Sequence, residues 1–166
     1  MKLNPHKCKL VLYTLSKSTS PPESILIDNV PVNFYKEIKD LGVWFDSNLT
    51  FMKHSAIVNN KLRSLYGIFW RNYRRLNSLE VLRTLYFTYV QSTIDYCLPV
   101  WGKAAPTTLD PVVRTHKKFL KLLLNIHPYE HGHVYENLAN EASIFPLNNR
   151  CLSGSAQWLA FRTVND

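Results

Sequence analysis

The sequence predicts an α+β fold: a small antiparallel sheet or hairpin fragment followed by a helical bundle. Three observations carry that expectation. Up to residue 52, apolar residues come in short runs bounded by Pro, Asn, Asp and Gly, as strands and tight turns require. From Lys53 onward they recur at i, i+3 and i+4, the period of a buried helix face. The positive charge is also segregated. Twelve Lys or Arg face three acids between residues 53 and 127, a local +9, against +1 before and −2 after. The expected divisions are therefore 1–52, 53–127 as a basic three-helix bundle, and 128–166 as a C-terminal extension that reads as truncated.

The elements follow in order. Residues 8–15, CKLVLYTL, read as a buried strand, and Lys17–Glu23, with Pro21-Pro22, as a loop. Ile25–Val32 reads as a hairpin turning at Asp28-Asn29, with Pro31 confining its second arm to an edge. Tyr35–His54 reads as strand, glycine, strand, turn and helix start. Gly42 there frees the backbone for close approach, Trp44 and Phe45 alternate between two sides, and Thr50 is the expected cap.

The first helix carries Ile57, Val58, Leu62, Leu65, Ile68 and Phe69 as its stripe. The second starts at Asn77, with Glu80 completing a capping box, carries Leu82, Leu85, Tyr86, Tyr89, Val90 and Ile94, and stops at Pro99. Trp101-Gly102 begins a loop. Thr107 or Thr108 caps a third helix carrying Leu109, Val112, Val113, Leu120, Leu123 and Leu124. A short helix near Val134–Glu141 and a final one over Leu152–Val164 complete the expectation.

No stretch is apolar and long enough to span a bilayer, the N-terminus does not resemble a signal peptide, and no membrane partner is expected. Cys8, Cys97 and Cys151 are odd in number and widely spaced, which argues for a reducing, intracellular setting, nuclear or cytoplasmic.

The charge points to a polyanion, most simply nucleic acid. Arg114, Lys117, Lys118 and Lys121 fall at i, i+3, i+4 and i+7, one helical face able to track a phosphate backbone or simply to face solvent. Arg71-Asn72-Tyr73-Arg74-Arg75 follows Phe69-Trp70, a mix that pairs phosphates and stacks bases, or a helix end whose aromatics pack inward. The HPYEHGH stretch, with His127, Glu130, His131 and His133, sits in a Pro/Gly loop without a fixed i, i+4 pair, so no metal site is expected.

The residues of Lys39–His54, K-x-L-G-V-x-F-D-x-x-L-T-F-x-x-H, resemble a segment of reverse transcriptases from non-LTR (LINE-type, Jockey-like) retrotransposons. Asp40 stands where that family usually has an aromatic or another polar residue. Leu3–Lys9 is similar to the family's L-N-P-x-K-T-K, and Thr93–Gly102 to x-I-L-E-Y-G-x-x-V-W. Leu109–Leu124, then Ile144–Leu147 with Arg150, resemble its following helix and I-L-P-L-x-x-R pattern.

The resemblance implies the end of a palm with a primer-grip hairpin in 1–52 and a thumb in 53–127. It implies that Leu41, Gly42 and Val43 hold the primer end. Arg63, Arg71, Arg74, Arg75, Arg114, Lys117, Lys118 and Lys121 would contact an RNA–DNA template–primer without regard to sequence. Lys7 matches a lysine that can donate a proton near the incoming phosphates, but without upstream partners it reads first as a solvated lysine at a strand start. The family binds Mg²⁺ through paired aspartates, and this chain has no Asp-Asp, the expected position lying before Met1. No cofactor of its own and no polymerase activity alone are therefore expected, and the parent's palm and fingers are implied partners. The competing expectation is a non-catalytic protein-interaction module derived from a mobile element; an independent hydrolase lacks any nucleophile or paired-acid motif.

Overall fold

A computed structural model describes residues 4, 7–14, 24–73, 75, 78–127 and 129–147. The chain divides into two units, Met1–His54 and Ser55–Asp166, so the basic helical segment and the extension from residue 128 fall in one unit. The loop expected at Lys17–Glu23, the start expected at Asn77 and the helix expected over Leu152–Val164 lie wholly or largely outside the described residues.

Among the described residues of the first unit, two hairpins form. β1 (Ser24–Ile27) pairs antiparallel with β2 (Val30–Asn33), turning at Asp28 and Asn29 with φ of 50° and 62°. Two successive positive φ values match the right-handed strand twist, and Asp and Asn tolerate them best after Gly. Pro31 pairs with Leu26. β3 (Glu37–Asp40) pairs with β4 (Val43–Asp46), turning at Leu41 and Gly42 with φ of 43° and 86°. The two hairpins are separate two-stranded sheets, in keeping with the expected antiparallel sheet or hairpin fragment ahead of the helices. The anticipated strand at 8–15 reduces to one parallel bridge from Leu10 to Phe34, with Tyr35 N–H donating to Leu10 O at 2.8 Å. Among the described residues this bridge is isolated, with no second rung to extend it.

α1 (Met52–Asn72) begins from an acceptor brought from β4. Asp46 Oδ2 accepts from Thr50 N–H and the Thr50 hydroxyl, both at 2.9 Å, and Oδ1 accepts from Phe51 N–H at 2.8 Å. Thr50, the expected cap, only reaches Met52 N–H at 3.5 Å. Lys53 Nζ lies 3.6 Å from the Trp44 ring centroid and pairs with Glu37. Phe45 and Phe51 meet edge to face at 5.7 Å.

In the second unit, Val58, Leu62 and Phe69 are the buried part of the α1 stripe, while Ile57 and Ile68 are exposed. α2 (Leu79–Leu85) follows Ser78, whose side chain makes no capping bond. It continues into a π-helical turn, Tyr86–Gln91, and then α3 (Ser92–Asp95). The i→i+5 rungs of that turn shift the buried stripe by one residue. Gln91 is thereby buried, and Tyr89, expected inside, is exposed.

Cys97, at φ 52°, ends this run. Pro99 therefore does not stop a helix but sits in the first turn of α4 (Leu98–Trp101). Trp101 is fully buried, its indole N–H donating to Tyr96 O at 2.9 Å. α5 (Pro106–Leu123) starts with proline and has no side-chain cap; Thr107 and Thr108 lie within it. Ser55 Oγ donates to Thr108 O at 2.6 Å, and Thr115 Oγ1 to Asn59 Oδ1 at 2.7 Å. α6 (Tyr135–Glu141) packs on α5 and is bridged to α2 by Arg83, whose guanidinium donates to Ala142 O at 3.2 Å.

A buried polar chain runs through this core. Leu147 N–H donates to Tyr135 Oη at 2.9 Å, and Tyr135 O–H meets His116 Nδ1 at 2.7 Å. His116 Nε2 meets Tyr86 Oη at 2.5 Å, Tyr86 O–H donates to Gln91 Oε1 at 2.9 Å, and Gln91 Nε2 donates to both Asp95 oxygens at 2.8 Å. Because the Tyr86 proton goes to Gln91 Oε1, the bond between Tyr86 Oη and His116 requires a proton on Nε2.

Candidate nucleic-acid interface

The expected contact residues fall into distinct structural settings. Lys7 is exposed, with its backbone N–H on Asn4 O at 3.0 Å. Leu41 and Gly42 form the tip of the β3–β4 hairpin, Leu41 being 80% exposed, whereas the Val43 side chain is buried. Of the LGV backbone, only the tip stands outside the ladder, because Val43 pairs with Asp40.

The four-residue basic face of α5 is corrected by the structure. Arg114 and Lys118 are exposed, but Lys121 is buried and its ammonium donates to Glu130 O. The Lys117 ammonium donates to His133 O. Helical spacing places four basic residues together, but the 130–133 loop folds over two of them and uses them to satisfy its carbonyls. Nothing in the α5 sequence signals this, because the loop that covers the face comes later in the chain.

Arg63 and Arg71 of α1 are exposed, as is Arg75; Arg74 lies outside the described residues. Neither Arg63, Arg71, Arg75 nor Arg114 has an ion-pair partner among the described residues. The aromatic pair before them is split, with Phe69 buried and Trp70 44% exposed. Trp70 stacks on Tyr66, with centroids 6.3 Å apart and planes 18° from parallel. Tyr66 is braced by Phe119 edge-on at 5.3 Å, and Lys118 Nζ lies 6.0 Å from its ring centroid. Burial, and secondarily the nearby Tyr129 phenol, push the Tyr66 pKa up. The i, i+4 spacing of Tyr66 and Trp70 was visible in the sequence, but their exposure was not.

α1 and α5 thus bring Arg63, Arg71, Arg114 and Lys118 to a surface with Tyr66 and Trp70. On the other side of α1, Leu65, Ile68, Phe69 and Asn72 join Leu85 and Tyr89 in lining a cleft of about 350 Å³. In the HPYEHGH loop, His133 Nε2 meets Glu130 Oε1 at 3.1 Å. No group of three or more His, Cys, Asp or Glu among the described residues could hold a metal ion. No helix among them is long and apolar enough to cross a membrane.

A hairpin unit followed by a basic helical unit is the class of molecule these features define. Over 126 residues, 73% of its length, the chain is 29% identical to a protein of Drosophila melanogaster described as "Probable RNA-directed DNA polymerase from transposon X-element". This similarity supports a reverse-transcriptase-related origin in a transposon. The aligned part covers only 13% of that polymerase. No family model matches the chain. No solved structure matches it either.

Proposed function

We propose that this chain is a palm-end and thumb portion of a LINE-type, Jockey-like reverse transcriptase, binding template–primer without catalysing nucleotide addition by itself. The observation that carries the reading is the 126-residue similarity to a transposon polymerase. Arg63, Arg71, Arg114 and Lys118 are the expected phosphate contacts, together with Arg75 beyond the end of α1 and Arg74 by its place in the sequence. Phosphate contacts position a strand without reading its sequence. The Leu41-Gly42 tip is the candidate primer contact, and Lys7 remains a candidate proton donor.

The acids among the described residues do not fit a Mg²⁺ pair. No two aspartates are adjacent in sequence. Asp46 is engaged at the start of α1, and Asp95 accepts from Gln91. No catalytic step is therefore assigned to this chain, and metal chemistry belongs to the parent's palm.

Affinity for an RNA–DNA hybrid tests the proposal. Four phosphate contacts give a log–log salt slope of about −3 to −4, a loss of roughly 60- to 250-fold between 50 and 200 mM salt. Arg63→Glu, Arg71→Glu, Arg114→Glu and Lys118→Glu should each weaken binding. Lys117 and Lys121 are unsuitable for this test, since charge reversal there places a carboxylate against a backbone carbonyl. Affinity independent of salt would overturn the reading. The apolar cleft favours a second one, a protein-interaction module, in which self-association would persist in the charge-reversed variants.

A further inference from the structure

α1 carries Arg63, Gly67, Trp70 and Arg71 at i, i+4, i+7 and i+8, which places them along one strip of the helix. The two arginines are exposed and without ion-pair partners among the described residues. Trp70 is half-exposed, and its indole is held by the stack on Tyr66, itself braced by Phe119. A Cβ added at Gly67 would meet nothing within 4 Å, so the helix backbone is bare between Arg63 and Trp70. Packing gives no reason for a glycine there. The result is a flat aromatic surface beside a shallow notch, with the Cα atoms of the two arginines about 12 Å apart along the axis.

We infer that this strip is a stacking site for an unpaired nucleobase, seated against the Trp70 indole, with the flanking phosphates drawn to Arg63 and Arg71. The inference rests on the template–primer reading and deepens it by specifying single-stranded nucleic acid as the ligand of this strip. The charge selects a polyanion. The fixed indole selects one with a free base face, which a duplex lacks because its bases are stacked on one another. Lys118, over the Tyr66 ring, adds positive charge at the neighbouring edge. An aromatic held in place loses little freedom on binding, so most of the stacking contribution is retained.

The test compares two labelled probes of equal length at one salt concentration, an unstructured single strand and a blunt RNA–DNA hybrid. Binding is read by fluorescence anisotropy with the purified full chain. Trp70→Leu keeps apolar bulk but removes the flat face, and circular dichroism checks that the helices remain. The single strand should bind about 5- to 100-fold more weakly to this variant, with the hybrid changed less than about twofold. Trp70→Phe should restore most of the loss, and binding of the single strand should quench tryptophan emission less in Trp70→Phe than in wild type. Equal weakening of both probes, or none, overturns the stacking site. If Arg63→Glu and Arg71→Glu still weaken hybrid binding in that case, the template–primer reading survives without it. If wild type binds neither probe, both fail.

Discussion

Asp46→Ala removes the acceptor on which the start of α1 depends. Three bonds are lost together: Thr50 N–H and hydroxyl at 2.9 Å each, and Phe51 N–H at 2.8 Å. Charge-assisted bonds of this kind contribute about 1.5–3 kcal/mol each when buried. Thr50 is exposed and Asp46 only half-buried, so water replaces much of that, and the scale of a lost helix cap, about 1–2 kcal/mol in total, is the better measure. Amide exchange at Thr50 and Phe51 should therefore accelerate roughly 5- to 30-fold.

The pH dependence of this effect provides a second check. Partial burial acts to raise the Asp46 pKa, but the bonds from Thr50 and Phe51 outweigh it and hold the carboxyl below its usual 3.8. A folded-state pKa below the unfolded one gives stability that is complete above the unfolded value and lost as pH falls through the folded one. The difference between wild type and Asp46→Ala should thus be constant from pH 7 to about 5 and close below about 4. A difference under about 0.3 kcal/mol at neutral pH, or one undiminished at pH 2, would refute the assignment of Asp46 as the cap.

Burial holds the His54 imidazole below its usual 6.5, so the unfolded chain takes up that proton first as pH falls. Urea midpoints should decline from about pH 6.5 downward, and His54→Gln should flatten that decline. Leu41 occupies the left-handed region at φ 43°, which asparagine tolerates better. Leu41→Asn should raise thermal stability by about 0.5–1 kcal/mol, and a loss would show that the leucine side chain stabilises the hairpin. Gly67→Ala should stabilise α1 by about 0.5–1 kcal/mol in a denaturant titration, because the added methyl meets open space.

Local chemistry determined much of this molecule without help from the rest of the chain. Asp28-Asn29 and Gly42 specify tight turns by the φ they tolerate, and the apolar period from Lys53 to Leu124 specifies helices by the face they must bury. The order of elements, the α+β class and the segregation of positive charge all follow from neighbours in sequence. Tertiary structure decided what those elements do with their side chains. Lys121 and Lys117 share a helical face with Arg114 and Lys118, yet the 130–133 loop takes their ammonium groups and leaves the other two to solvent. Tyr86, His116 and Tyr135 are distant in sequence and carry no motif, yet they join in one hydrogen-bonded chain. Phe69 and Trp70 are adjacent and alike in chemistry, and the packing of α1 sends one inward and leaves the other facing water. Periodicity assigns a residue to a face of its own helix, but only the packed chain decides what covers that face.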